Sequence, residues 1–82
     1  MSNLTIDMDG LDPAYAPGVS YHEPGGLTTR EVITLIWTLP GSLISGDIVE
    51  YNPRLDLNDM TAAVVMKLIK EMIARIVRDL GG

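Results

Sequence analysis

Apolar and polar residues alternate at the start of the chain, and turn-forming residues follow. The alternating positions are, in order, Leu4, Thr5, Ile6, Asp7, Met8 and Asp9. Alternate residues of a strand share one face, so the pattern predicts a buried strand over residues 3–9 with both acids on the same face. Residues 10–27 contain three prolines and four glycines, which predict a long loop. A loop of this length is often functional.

Helical spacing of apolar residues begins after this loop. Val32, Leu35, Ile36 and Leu39 recur at intervals of three and four, as on one face of a helix. Thr28 with a glutamate three residues later, Glu31, matches a capping box. We therefore predict a helix that begins at Thr28 and ends before Pro40.

A second strand and a longer helix complete the pattern. The strand is predicted over residues 43–50, with Gly46 at a point of close packing. Asn58 or Asp59 is expected to cap a final helix that continues to about Leu80. The polar stripe of this helix consists of Lys67, Lys70, Glu71, Ala74, Arg75 and Arg78. The wide apolar remainder could lie on a membrane surface, but packing on a sheet is the favoured interpretation.

The order strand, helix, strand, helix predicts the fold class. Such alternation is typical of α/β proteins, in which helices cover a parallel sheet. Two parallel strands joined by a helix end at the same edge of the sheet, where open α/β folds bind their ligands. Asp7, Asp9 and Glu50 are therefore expected to converge at one edge.

Composition excludes several classes of protein. The 82 residues carry a formal net charge of -5, which argues against a nucleic-acid partner. The chain has no cysteine, so disulfide and thiolate chemistry are excluded. No apolar run is long enough for a membrane span, and no secretory signal is visible. A hydrophobic content of 46% is too high for general disorder.

Two acids two residues apart suggest a metal site. Adjacent carboxylates repel each other unless a cation compensates them. Carboxylate oxygens suit hard divalent ions such as magnesium, manganese or calcium. The pattern alone leaves metal binding and turn capping by Asp7 and Asp9 equally open. For Asp12, which precedes a proline, the structural role is favoured.

Four separate segments carry a family resemblance. They are T-I-D-M-D-G-L-D-P-A-Y-A-P-G at residues 5–18, G-G-L-T-T-R-E at 25–31, G-D-I-V-E-Y-N-P at 46–53 and M-T-A at 60–62. In this order they resemble the arginase–agmatinase (ureohydrolase) family. The resemblance implies a three-layer parallel-sheet sandwich, of which residues 1–82 form a β-α-β-α C-terminal part of one domain. The histidine-bearing segments of the family are absent from this chain.

The resemblance also implies a chemistry. Two Mn²⁺ ions would activate water for attack on a guanidino group, giving urea and an amine. Asp7 would bridge the ions, Asp9 would bind one of them, and Glu50 would contact the guanidino substrate, arginine or agmatine. A homo-oligomer and a cytoplasmic or mitochondrial location are expected of the complete protein. His22 is not expected to be a catalytic residue, because the family's catalytic histidines lie upstream.

An alternative reading assigns the chain no catalysis of its own. It would then be a truncated or remnant form with at most weak metal binding or a role in assembly. The absent histidine-bearing segments are the feature that favours this alternative.

Overall fold

The computed structural model describes residues 2–22 and 24–81, and their order of elements is β-α-β-α. Strand β1 spans Ser2–Asp7, helix α1 Thr29–Thr38, strand β2 Leu43–Val49 and helix α2 Met60–Gly81. Two single-turn 3₁₀ helices follow the strands, at Met8–Gly10 and Pro53–Leu55. The predicted fold class and element order are confirmed.

The two strands form a parallel sheet with one polar face. Thr5 pairs with Asp47 in the register, Ile6 with Ile48, and Asp7 with Val49. The Thr5 hydroxyl donates to Asp47 Oδ1 at 2.6 Å across the polar face. On the opposite face Ile6 is buried and Ile48 packs against the core. The sheet therefore turns one apolar face toward the helices.

The predicted capping box at the start of α1 is present. The Thr28 hydroxyl accepts the Glu31 amide at 3.1 Å, and the Glu31 carboxylate accepts the Thr28 amide at 2.9 Å. The pair satisfies two amides that the helix would otherwise leave without partners. Helix α1 then buries Val32, Ile33 and Ile36. The sequence therefore encodes the start of this helix locally.

Gly46 lies where α2 crosses the sheet. A Cβ atom at this position would come within 2.8 Å of the Met72 sulfur atom. Met72 and Leu68 of α2 are buried in the same cluster as Ile6 and Met8. The prediction of close packing at Gly46 is confirmed, since a larger residue would have to displace the Met72 side chain and would lie 3.2 Å from the Leu4 carbonyl oxygen.

The assignment of Arg75 to an exposed polar stripe is wrong. Its side chain is 1% exposed, and its guanidinium donates to the carbonyl oxygens of Ile36, Leu39 and Gly41 at 2.6–2.8 Å. Its Nε donates to Asp79 Oδ2 at 3.0 Å. Arg75 thus supplies hydrogen-bond donors to the carbonyl oxygens at the end of α1, because the last carbonyls of a helix lack partners within the helix.

The cap of α2 also differs from the prediction. The carboxylate of Asp56, rather than the side chain of Asn58 or Asp59, accepts the amides of Thr61 and Ala62 at 2.8 and 3.0 Å. Asn58 and Asp59 instead take positive φ angles of 50° and 57°, as the chain turns into the helix. Within the described residues, no helix is long and apolar enough to cross a membrane.

Candidate functional site

Asp7 and Asp9 lie together at the carboxyl end of β1, but they do not share a strand face. The strand ends at Asp7, and Asp9 belongs to the 3₁₀ turn that follows. The Asp7 carboxylate accepts the Asp9 amide at 3.1 Å and so caps this turn. The prediction of a strand that continues to residue 9 is wrong, because the turn bends the chain two residues earlier. The turn nevertheless keeps the two carboxylates close.

The electrostatics of this pair show how close the acids are. The pKa of the Asp9 carboxyl is raised above its ordinary value, chiefly through hydrogen bonding with the Asp7 side chain. Burial raises it further, as do the negative charges of Asp7 and Glu50. Neighbouring negative charge disfavours the ionised form of a carboxyl group, and a bound cation would reverse this effect.

Glu50 follows β2 directly and has an unusual backbone. Its φ angle is 65°, in the left-handed region that non-glycine residues rarely occupy. The side chain is exposed, and its charge acts on Asp9 across the sheet edge. The register places the two strand ends side by side, since Asp7 pairs with Val49, the residue before Glu50. Backbone outliers of this kind cluster at functional sites.

The donor set at this edge is suited to a hard divalent ion but is partial. Asp7 and Asp9 offer carboxylate oxygens, the ligands that manganese and magnesium prefer. Among residues 2–22 and 24–81, no three His, Cys, Asp or Glu side chains are placed to hold one metal ion together. A metal ion at this edge would take two ligands from the described residues, Asp7 and Asp9, and its other ligands from groups outside this set.

Asp12 has the structural role that its sequence context predicts. Its carboxylate accepts the amides of Ala14 and Gly25 at 2.9 Å each, and these bonds lower the pKa of Asp12. The loop closes on itself beside this residue, where Leu11 and Leu27 form a parallel bridge. Gly26 permits the closure, since a Cβ atom there would lie 2.8 Å from the Gly10 carbonyl oxygen.

The middle of the same loop is attached to the region after β2. The buried Gly18 amide donates to the Thr61 hydroxyl at 2.7 Å, and the Gly18 carbonyl accepts the Asn52 amide at 2.6 Å. The Asn52 side chain also donates to Ser20 Oγ at 3.3 Å. Sequence reasoning did not assign these contacts. The only signal for them was that Asn52 and Thr61 lie in segments that resemble a family.

His22 and Tyr21 lie beyond these attachment points. His22 Nε2 contacts the Pro17 carbonyl oxygen at 2.7 Å, which closes residues 17–22 into a compact turn. Tyr21 is 76% exposed. His22 therefore has a structural contact within the loop.

An apolar groove of about 180 Å³ runs along β1 and α1 and reaches the site at Asp7. Leu4 and Ile6 line it from the strand, and Val32 and Ile36 line it from the helix. Within residues 2–22 and 24–81, β1 pairs with β2 on one side only. Asp7 therefore sits at the end of a groove that is open to solvent.

Comparison with known proteins places these features in a family. Arginase 1, mitochondrial, from Oryza sativa subsp. japonica is 50% identical over 74 residues, which are 89% of this chain and 22% of that protein. Agmatinase from Bacillus cereus is 38% identical over 73 residues, 85% of this chain and 25% of its own length. The chain thus spans about a fifth to a quarter of these relatives.

Solved structures agree on the fold. The arginase from Medicago truncatula superposes with a TM-score of 0.85 at 48% identity, over 90% of this chain and 24% of that chain. Its fold is that of the arginases, so the parallel strand pair and its helices are part of an α/β arginase fold. The family model for arginases matches residues 2–74, and this chain belongs to the arginase family.

Proposed function

We propose that this chain supplies metal-binding and substrate-binding residues to a hydrolase that converts a guanidino group into urea and an amine. Family membership and relatives named arginase and agmatinase support this class of reaction. The observation that carries the proposal is the pair Asp7 and Asp9 at the carboxyl end of a parallel strand, with Glu50 in electrostatic range. Open α/β folds bind their ligands at this edge.

The two aspartates would hold manganese. Asp7 would bridge two ions and Asp9 would bind one of them, as oxygen ligands of the kind Mn²⁺ accepts. When bound, manganese supplies Lewis-acid activation of water. The raised pKa of Asp9 supports the assignment, since hydrogen bonding with Asp7, burial and neighbouring negative charge all disfavour its ionised form, which a bound cation would favour.

Glu50 would orient the substrate. A carboxylate pairs with a planar guanidinium through two parallel hydrogen bonds, which fix both distance and orientation. Glu50 is exposed and stands at the end of β2, on the same sheet edge as the aspartates. Both arginine and agmatine carry this guanidinium, and the site residues of this chain do not distinguish them. A homo-oligomeric assembly of the complete enzyme is a further part of the proposal.

The partial donor set favours a second candidate, in which the chain has no catalytic activity of its own and has at most weak metal binding or a role in assembly. The chain covers only about a fifth of its relatives' length, and its described residues supply no complete group of metal ligands. We therefore expect the 82-residue chain alone to release urea from arginine or agmatine only at background rate when Mn²⁺ is present. Turnover by the pure chain would contradict this second candidate.

The binding roles can be tested on the chain itself. Mn²⁺ binding is measured by electron paramagnetic resonance, and agmatine binding by amide chemical shifts, in wild type and three variants. Asp7→Asn should weaken Mn²⁺ binding by about tenfold or more, since it removes a charged ligand. Glu50→Gln should leave Mn²⁺ affinity nearly unchanged and weaken agmatine binding by a similar factor.

Asp59→Asn is the control, because it removes one negative charge outside the proposed site. It should change neither affinity by more than about twofold. If Glu50→Gln instead releases the metal, or if Asp7→Asn binds Mn²⁺ like wild type, the assignment of roles along this sheet edge is wrong.

A further inference from the structure

The segments that resemble a family include two residues with no part in the proposed chemistry, Asn52 and Thr61. Asn52 follows Glu50 by two residues, and Thr61 lies in the first turn of α2. Thr61 is completely buried, which is uncommon for a threonine unless its hydroxyl has partners. The hydroxyl accepts the Gly18 amide of the loop that follows β1, more than forty residues away in the sequence.

Thr61 connects that loop to the cap of α2. The Gly18 amide donates to the Thr61 hydroxyl oxygen at 2.7 Å, and the Thr61 amide in turn donates to the Asp56 carboxylate at 2.8 Å. A Cβ atom on Gly18 would lie 3.0 Å from the Thr61 side chain. The contact is therefore tight as well as polar, and it leaves little freedom for the backbone at Gly18.

Asn52 holds the same loop from the other side. Its amide donates to the Gly18 carbonyl oxygen at 2.6 Å, and its side-chain nitrogen donates to Ser20 Oγ at 3.3 Å. Its side-chain oxygen accepts the Arg54 amide at 3.1 Å, which fixes the orientation of the side chain. Val19, between the two held residues, is buried in the core. Residues 18–20 are thus fixed by the Thr61 hydroxyl, by Asn52 and by the burial of Val19.

The held loop borders the site. The hydrogen bond from the Asn52 amide holds Gly18 beside the segment that carries Glu50. Tyr21, which follows Ser20 in the sequence, is exposed. We propose that Thr61 and Asn52 are positioning residues, which hold residues 18–22 as a fixed wall of the guanidino site next to Glu50. This inference rests on the proposed function for its substrate, whereas the attachment of the loop does not depend on it.

The first measurement concerns the loop alone. Amide hydrogen exchange is followed by nuclear magnetic resonance in wild type, Thr61→Val, Thr61→Ser and Thr34→Val. Thr61→Val has nearly the same shape but lacks the acceptor, so the Gly18 and Val19 amides should exchange about tenfold faster or more. Thr61→Ser keeps a hydroxyl and should restore slow exchange. Thr34→Val is the matched control, because the Thr34 hydroxyl bonds only within α1.

A second variant keeps the test decisive if Thr61→Val does not fold. Asn52→Asp retains an oxygen that can accept the Arg54 amide but loses the nitrogen that donates to Ser20 Oγ. Both of these hydrogen bonds are exposed to solvent. The Tyr21 amide should then exchange several-fold faster while α2 remains protected. Wild-type exchange rates at residues 18–21 in both variants would overturn the attachment.

The second measurement separates the positioning role of Thr61 from the proposed function. Agmatine is titrated in the presence of Mn²⁺, and amide shifts are recorded at Glu50 and at residues 18–22. In wild type both regions should respond; in Thr61→Val the loop response should be lost and the affinity reduced several-fold. Equal affinity and equal loop shifts in Thr61→Val would overturn the positioning role. A wild-type chain that does not respond to agmatine, with normal loop exchange, refutes the proposed function and the positioning role but leaves the attachment standing.

Discussion

Glu50 combines an exposed carboxylate with a backbone that disfavours any side chain. A φ of 65° brings Cβ close to the following carbonyl oxygen, which costs roughly 1–2 kcal/mol for an L-residue. Glycine would occupy this position without that strain. A strained non-glycine residue at the end of a strand is therefore an indication that the carboxylate has a use other than stability.

The strain at Glu50 can be measured. Glu50→Gly should raise the free energy of unfolding by about 1 kcal/mol relative to Glu50→Ala, because glycine alone relieves the left-handed conformation. Glu50→Ala is the matched control, since both variants lack the carboxylate and only one retains Cβ. Thermal or urea unfolding provides the comparison. A glycine variant less stable than the alanine variant would show that this backbone is not strained.

Asp56 is a second residue whose environment sets its charge. Desolvation alone would raise its pKa, but hydrogen bonds from the Thr61 side chain and from the amides of Thr61, Ala62 and Leu57 lower it from 3.8 to about 2. A carboxylate with a depressed folded-state pKa stabilises the fold at pH values above its unfolded-state pKa. This contribution is complete above about pH 4 and is lost as the pH falls from about 4 toward 2.

The pH dependence gives a test of the α2 cap. The wild-type melting temperature should fall between about pH 4 and pH 2, and Asp56→Asn should lower it at pH 7 and flatten this fall. Some slope should remain, because bonds from the Leu43 amide and from two arginines also lower the pKa of Asp79 to about 2. Asp59→Asn removes a charge beside the same helix without removing the cap. If Asp59→Asn flattens the curve as much as Asp56→Asn, the cap does not account for the effect.

At the scale of elements, α2 holds α1 and β2 together through the ion pair of Arg75 with Asp79. Arg75 binds the carbonyl oxygens at the end of α1, and its partner Asp79 accepts the Leu43 amide at 2.7 Å at the start of β2. A positive charge at a helix C-terminus also interacts favourably with the helix dipole. The turn from α1 to β2 therefore depends on side chains that lie more than thirty residues later in the chain.

Removing the arginine should be costly. Arg75→Met keeps the apolar stem but leaves the carbonyl oxygens of Ile36, Leu39 and Gly41 without this donor. It also reduces the partners of Asp79 to Arg78 and the Leu43 amide, so it should destabilise the fold by about 3 kcal/mol or more. Lys70→Met is the control on the same helix, because Lys70 is exposed and its loss should cost less than about 0.5 kcal/mol. Urea unfolding with both variants measures the difference. Similar stabilities would mean that the buried pair contributes little to the free energy of unfolding.

The same elements show what sequence patterns can and cannot predict. The capping box of α1, the close packing at Gly46 and the order of elements follow from local spacing, and all are present. The burial of Arg75 could not be predicted, because helical periodicity places a residue on a stripe without revealing what covers that stripe. The capping of α2 by Asp56 depends on a turn through two left-handed residues, which the sequence pattern did not reveal.

Prediction of the site had the same limits. Asp7, Asp9 and Glu50 were brought to one edge by topology alone, because parallel strands end together. The 3₁₀ turn at Met8–Gly10 was missed, since an alternating pattern of only six residues does not show where a strand ends. The attachment of the loop by Thr61 was missed because it joins segments distant in the sequence, a relation that no local spacing contains.

At the scale of the whole molecule, two strands and two helices leave much apolar surface in contact with solvent. Met66, Ile73, Val77 and Leu80 of α2 are 54–73% exposed. The groove beside β2 adds Val65, Ile69 and Ile76 to this surface. Exposed apolar patches and unpaired strand edges promote association. Relatives about four times as long have further chain with which to cover such a surface.

The isolated chain should therefore self-associate through α2. Sedimentation should show assembly that increases with concentration, because pairing two apolar stripes removes both from water. Ile73→Lys with Val77→Lys should shift the chain toward monomer, since burying two lysines in the contact is unfavourable. Ala74→Lys, which adds a charge on the polar stripe of the same helix, should leave the assembly unchanged. A wild-type chain that is monomeric at all concentrations, with slowly exchanging amides in both strands, would show that these four elements are a self-sufficient domain.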